Sequence, residues 1–239
     1  MALRSYNDHN FDRSSFPGRL LLIFGAALLA GVLAYSKITD TFDNVFYDGI
    51  SRLVESKIPE DLLLIAIDER SLLELGRWPW PREKHVALID KFEESDVRAI
   101  AIDIIFAEPD VDFPETDQRL SETVAKAGNV ILPVFMGLAE QQGKILEIEP
   151  IKPLAENAAG LGHVHIEIDK DGVARHVFLK EGLGDAHWKH FALVLHEFIL
   201  GKTVDEIPGI TRTGSLPKGA ETLNVRNYLN LIPYINHPK

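Results

Sequence analysis

Apolar residues fall along this chain in distinct rhythms, and each rhythm predicts a different kind of element. From Leu20 to Tyr35 the run LLLIFGAALLAGVLAY carries neither charge nor alternation, the pattern of a helix that is apolar on every side. Phe42, Val45, Phe46, Ile50 and Leu53 then recur at helical spacing, which predicts an amphipathic helix over Thr41–Leu53. Leu62–Ile67 (LLLIAI) and Ala99–Phe106 (AIAIDIIF) are short unbroken apolar runs, the signature of strands covered on both faces in a parallel sheet.

Between those runs, Val86, Ile89 and Phe92 form a buried helical stripe, with Glu83, Lys84, Asp90 and Glu93 on the wet side and Pro81 in the first turn. The unit is βαβ, with a right-handed crossover. A second helix is signalled by Thr116 or Asp117 as N-cap, Leu120 and Val124 as its stripe, and Gly128 just past its end. Val130–Phe135 (VILPVF) supplies a third strand. Its Pro133 cannot donate to a ladder, which places this strand at an edge or at a bulge. Past a polar stretch at Gln141–Lys144, His163–Ile168 and Val173–Leu179 alternate around Asp169-Lys170-Asp171-Gly172 and predict a β-hairpin. A last helix is expected over Trp188–Leu200, with Phe191, Val194, Leu195 and Phe198 inward and Gly201 as its stop. Pro208–Gly219 is loop-like, and the chain then runs to Lys239 with no further crossover.

The expected fold class is therefore α/β: an N-terminal transmembrane helix, then a layered βαβαβ, mainly parallel sheet with an added hairpin and helix. A last strand with no closing helix suggests a piece of a longer protein, incomplete at its C-terminal end. The expected division is a cytoplasmic tail at residues 1–19, a transmembrane helix at 20–38 and an extracytoplasmic domain at 39–239. A span needs about 20 residues, reached here by including Ser36 and Ile38 while Lys37 reaches the headgroups. The same run also fits a cleaved signal peptide ending at Val32-Leu33-Ala34. The amphipathic helix that follows favours the anchor, because a secreted N-terminus does not require it. Arg13 and Arg19 precede the run and Lys37 follows it, so the N-terminus is assigned to the inside and the domain to the periplasm or cell exterior.

Charge narrows the partners. A net charge of -11 is the wrong sign for a nucleic-acid binder, which must displace counterions from phosphates. Cysteine is absent, which excludes disulfide scaffolds, thiolate metal sites and thiol nucleophiles. The expected partners are the lipid bilayer, an unidentified small-molecule or ionic signal, and a second copy in a homodimer.

Candidate chemistry gathers in one region. Asp68 and Asp103 stand near the carboxyl ends of the first two runs, where ligands enter open parallel sheets, with Glu69, Glu108 and Asp110 close in sequence. The alternative is that Asp68 and Asp103 cap the next turns. Gly76-Arg77-Trp78-Pro79-Trp80-Pro81-Arg82 is a proline-stiffened loop presenting two indoles between guanidiniums. Such a loop loses little entropy on binding, and Trp and Arg are favoured at binding hot spots; it also fits a rigid lid over the sheet. The candidate ligand-binding set is Asp68, Glu69, Arg77, Trp78, Trp80, Arg82, Asp103, Glu108 and Asp110.

Nine histidines raise a zinc reading, with His163 and His165 on one strand face and His187 and His190 about one helical turn apart. No spacing fixes a further ligand, and the metal is left unassigned. The loop after the first run, Asp68-Glu69-Arg70-Ser71-Leu72, has no glycine fingerprint, and no phosphate-binding loop or Gly-x-Ser-x-Gly elbow occurs. No catalytic residue and no cofactor are expected.

These residues resemble the second type of CHASE domain, an extracellular sensory module of cyclases and histidine kinases. The resemblance runs through Phe46-Tyr47-Asp48, Ile65-Ala66-Ile67-Asp68-Glu69 with Ser71-Leu72, and the Gly76–Arg82 loop. It continues in Ala101-Ile102-Asp103-Ile104-Ile105-Phe106, Glu108-Pro109-Asp110, Asp117, Gly128-Asn129-Val130-Ile131-Leu132-Pro133, and Asp171-Gly172-Val173 with Arg175. It covers about Phe42 to Leu200, and Asn224–Pro238 matches only loosely. The resemblance implies a sensor set between an N-terminal membrane helix and several C-terminal ones, followed by a cytoplasmic output such as a nucleotide cyclase, a cyclic di-GMP enzyme or a kinase. Two other readings stand beside it: a ligandless dimerisation or partner-binding module, and a secreted metal-dependent hydrolase built on Asp68, Asp103 and Glu108.

Overall fold

The computed structural model describes residues 16–35, 38–53, 60–138, 145–211 and 224–232. The chain divides into two compact units, Met1–Leu62 with Pro233–Lys239, and Leu63–Ile232.

The first unit contributes helices α1 (Phe16–Tyr35) and α2 (Ile38–Leu53). In α1 the side chains described are those of residues 18–32, and all are exposed. Among the described residues no helix is long and apolar enough to cross a membrane. Helix α2 forms where the spacing predicts it, with Phe42, Val45, Phe46, Ile50 and Leu53 all exposed.

The second unit holds two sheets. Strand β2 (Val130–Leu138) is the centre of the first. On one flank it pairs in parallel with β1 (Ile100–Ala101), and on the other with β4 (Gly160–His163), in a register from Ile131↔Gly160 to Val134↔His163. Its far end, Phe135–Leu138, pairs antiparallel with β3 (Ile145–Ile148). The edge position expected from Pro133 is thus corrected: the proline lies buried in the central strand. The carbonyls of Val130 and Val134 accept from Ala159 and Val164 on the β4 flank, while that of Ile131 accepts from Ile102 on the β1 flank. By alternation Pro133 faces the β1 flank, and that ladder ends at Ala101. The missing N–H therefore costs no hydrogen bond.

The first predicted strand is also corrected. Among the described residues, 62–68 join no ladder, and Leu63 and Leu64 are 80% and 88% exposed. Of Ala99–Phe106 only Ile100–Ala101 forms a strand; beyond it, the Phe106 carbonyl accepts from Ile151 N–H. An apolar run foretells cover; it does not name the strand that provides it.

The second sheet, ordered β6-β5-β7, is antiparallel. Strand β5 (His176–Leu183) pairs along its length with β7 (Asn224–Leu231) and at Lys180↔Lys189 and Glu181↔Trp188 with β6 (Trp188–Lys189). The predicted hairpin survives as its turn: Asp169 N–H donates to the Val173 carbonyl at 2.9 Å, and Gly172 takes the turn at φ 82°. Arg175, 2% exposed, holds it through Asp169 and Asp171. The arms meet only at the bridge Glu167↔His176, because β4 is drawn to β2 and β5 to β7.

Helices cover both faces of the first sheet. Helices α4 (Arg82–Glu93), α5 (Pro114–Ala127) and α6 (Lys152–Asn157) pack Val86, Ile89, Leu120, Val124 and Leu154 against Ile100, Ile102, Val130 and Leu132. Helix α5 starts three or four residues earlier than predicted, capped at Phe113 with Pro114 in its first turn, and stops at Gly128, which takes φ 67°. The opposite face receives α7 (Phe191–Leu200). A Cβ on Gly160 would lie 2.6 Å from Val194 Cγ1, and one on Gly162 2.7 Å from the Phe191 Cα. These glycines, two apart on one face of β4, let α7 sit directly on the strand. Trp188 and Lys189, expected to open this helix, are instead β6, and His190 is the N-cap. Helix α3 (Glu69–Leu75), which the sequence pattern did not predict, and the loop beyond it lead into α4.

Candidate functional site

The tryptophan loop is built from short local bonds. Gly76 closes α3 at φ 95°, a conformation that suits glycine, and its carbonyl accepts from Trp80 Nε1 at 2.8 Å. The two indoles meet edge-on with centroids 5.8 Å apart. Trp78 touches His85 at 5.9 Å, and His85 touches Phe106 at 5.2 Å. The result is an aromatic ladder that descends from Trp78, 44% exposed, to Phe106 in the core at 2%. Burial, and after it the charge of Arg82, hold the His85 pKa below the usual histidine range, so this rung is neutral at pH 7.

Arg82 fastens the ladder. Its guanidinium lies 4.8 Å from the Phe106 ring centroid. Its Nε donates to Asp117 Oδ1 at 2.8 Å and its Nη2 to the Glu108 carbonyl at 2.8 Å. The other oxygen of Asp117 accepts from Asp110 N–H at 2.7 Å. One buried ion pair thus joins the start of α4, the loop at 108–110 and the first turn of α5.

The candidate residues separate into those the fold brings together and those it does not. Trp78, Trp80 and Arg82 form one group, and Glu108 joins through its backbone. Asp110 orders the turn into α5, its carboxylate accepting from Phe113 N–H at 3.0 Å and Thr116 Oγ1 at 3.2 Å. Asp68 is the N-cap of α3, accepting from Ser71 N–H at 2.8 Å and Ser71 Oγ at 2.7 Å, and these bonds lower its pKa. That is the capping alternative read from the sequence. Glu69, Arg77 and Asp103 are exposed, and among the described residues no hydrogen bond or ion pair joins Asp68 to Asp103.

A second polar cluster sits where β4 meets the other sheet. The carboxylate of Glu181 on β5 is fully buried. His165 Nδ1 lies 2.8 and 3.0 Å from its two oxygens, and Arg226 Nε on β7 donates to it at 3.1 Å. Arg226 also pairs with Glu167. His163 is fully buried, with Nδ1 3.8 Å from Glu181 Oε2 and its ring against His190 at 5.0 Å. Neither ring nitrogen of His163 makes a hydrogen bond, nor does His190 Nε2.

The model of the CHASE2 domain matches residues 22–236. The chain belongs to the CHASE2 domain family. No curated protein and no solved structure matches it. A CHASE2 domain is an extracellular sensory module, not a catalytic one.

Within this CHASE2 domain, sequence reasoning missed His85, Asp117 as the partner of Arg82, and the Glu181–Arg226 pair. His163 and His165 were seen to share a strand face, and both do turn to Glu181. No group of three or more metal-ligating side chains that could hold a metal ion occurs among the described residues. His187 and His190 diverge, the first to Glu147 at 3.3 Å and the second to His163. The strand β6 between them removes the helical spacing that would have paired them.

Proposed function

We propose that this CHASE2 chain is the extracytoplasmic sensor of a membrane-anchored bacterial signalling protein, whose small-molecule or ionic signal binds at the tryptophan loop. The observation that carries the reading is the aromatic ladder, solvent-facing at Trp78 and wired through Arg82 and Asp117 to the core helices. A ligand stacked on Trp78, within reach of Arg77, changes the packing of Trp78 on His85. It shifts a two-state equilibrium only as far as it binds one state better. Glu69, Trp80, Asp103, Glu108 and Asp110 complete the candidate rim, while Asp68 serves it through the fold of α3.

In this reading α1 is the anchor. The support for this is the uncharged run from Leu20 to Tyr35, which reaches the length of a span of about 20 residues only with Ser36 and Ile38 included. Helix α2 carries the change toward α1 and on to a cytoplasmic nucleotide cyclase, cyclic di-GMP enzyme or kinase. Metabolites and cations are screened by thermal shift on the whole chain in detergent. A hit should raise Tm in the natural chain and not in Trp78→Ala; hits unaffected by that change would move the site elsewhere. Carbonate extraction and protease protection of spheroplasts test the anchor, and release of the chain as a soluble protein overturns it.

A homodimerisation role is favoured by one separate observation, the exposed apolar stripe of Phe42, Val45, Phe46, Ile50 and Leu53 on α2. Light scattering across concentrations reads it directly.

A further inference from the structure

We propose that the joint between the two sheets is a proton-binding site, and that acidification is a signal this domain reads by loosening β4 from β5 and β6. The inference rests on the sensory reading and gives it a second, chemically defined input, away from the tryptophan loop.

The geometry makes His163 the responding group. It is 0% exposed, neither ring nitrogen is hydrogen-bonded, and it stands between the two sheets. The titratable groups around it come from neighbouring elements: Glu181 from β5, His190 from the start of α7 and His165 two residues past β4, with Arg226 of β7 and its partner Glu167 joined through Glu181. Both oxygens of Glu181 are already engaged, Oε1 by Arg226 and His165 and Oε2 by His165. A proton on His163 would add a buried cation whose neighbouring carboxylate already has both oxygens shared. Uncompensated buried charge is what a packed joint tolerates least.

The sign follows from which state holds the proton. Burial first, then the neighbouring His190, lower the His163 pKa to about 4, against the weaker opposing pull of Glu181 and the Phe178 backbone. The closed joint therefore binds fewer protons than an opened one, and acid favours opening. An opened joint that returns His163 to about 6.5 shifts the open-to-closed ratio about 30-fold between pH 7.5 and 5. The His190 pKa is lowered by burial too, which adds in the same direction.

The joint has reporters. Glu167 N–H donates across the joint to the His176 carbonyl and Leu183 N–H to the Glu147 carboxylate, while Ile102 and Gly128 N–H report the α4–α5 core. Hydrogen exchange on the full chain in detergent is measured at pH 7.5 and 5, with times rescaled for intrinsic exchange. Protection at Glu167 and Leu183 should fall about 30-fold while Ile102 and Gly128 hold. In His163→Phe, or His163→Gln if the ring does not fit, the response should shrink to the part His190 supplies. Equal protection of the natural chain at the two pH values overturns the proposal even if neither variant folds, as does an undiminished response in a folded variant. A His163 ring titrating near 6.5 in an NMR titration of the natural chain overturns it as well. None of these readouts involves the membrane or an output domain, so the sensory reading and this one fail separately.

Discussion

Replacing Asp117 with Ala tests whether the Arg82–Asp117 pair holds the tryptophan loop to the core. The two side chains are 16% and 10% exposed, so water screens the pair little. The substitution strands the Arg82 Nε and orphans the Asp110 N–H that now donates to Asp117 at 2.7 Å. Removing one partner of a buried pair costs about 3–5 kcal/mol, and the orphaned N–H lies within that figure because the two losses share one carboxylate. Arg82 keeps the Glu108 carbonyl and the Phe106 ring, which argues for the lower half, about 3 kcal/mol. For a unit of this size that is a Tm drop of about 10 °C. Asp117→Asn keeps an acceptor oxygen and should lose about half as much. Urea unfolding followed by far-ultraviolet dichroism measures both, and Arg82→Ala with the double variant closes a cycle whose coupling should exceed about 1.5 kcal/mol. A loss under about 1 kcal/mol for Asp117→Ala would class the pair with exposed surface pairs and refute the argument that it is structural.

Gly162→Ala places a Cβ 2.7 Å from the Phe191 Cα and 2.9 Å from its nitrogen. Backbone cannot step aside as a side chain can, so α7 must lift from β4 at a cost of about 1–3 kcal/mol, read as a lower urea midpoint; an unchanged midpoint would show that α7 does not rest on that strand. Global stability should fall as pH drops from about 6.5 to about 4, by roughly 3 kcal/mol from His163, because its folded pKa lies near 4 and the unfolded chain binds the proton first. Asp68 and Asp171, whose pKa values are lowered by Ser71 and Arg175, contribute stability that is lost only below that window. A flat urea midpoint from pH 7 to 5 sinks the His163 term.

Local periodicity was a sound guide where an element's cover comes from its own neighbourhood. Helix α4 buries Val86 and Ile89 as spaced, and α5 and α7 end at the glycines that mark them, Gly128 at φ 67° and Gly201 at φ 63°. The pattern failed where partner choice decides. Leu62–Ile67 has the composition of a covered strand and no ladder, and Pro133 sits centrally because its missing donor faces a flank whose ladder has ended. The turn at Asp169–Gly172 was written locally in its residues. That its arms would leave for different sheets depended on β2 and β7, one about 30 and the other about 50 residues away.

The site divides along the same line. The tryptophan loop was visible because its rigidity and its rings are properties of adjacent residues. Asp117 and Glu181 were not, because a carboxylate's meaning lies in what it touches: Arg82 is 35 positions from Asp117 and Arg226 is 45 from Glu181. His163 shows the difference most sharply. In sequence it is one of two histidines on an alternating strand, open to a metal reading. In the fold it occupies the buried seam beside a carboxylate that Arg226 already engages and against a second imidazole; among the described residues this is short of ligands for a cation but well placed to resist a proton. A group that resists protonation in one packing and accepts it in another couples that packing to pH. In the proton-binding proposal, then, β4 is the element whose movement carries the acid signal, separately from any ligand signal at the tryptophan loop.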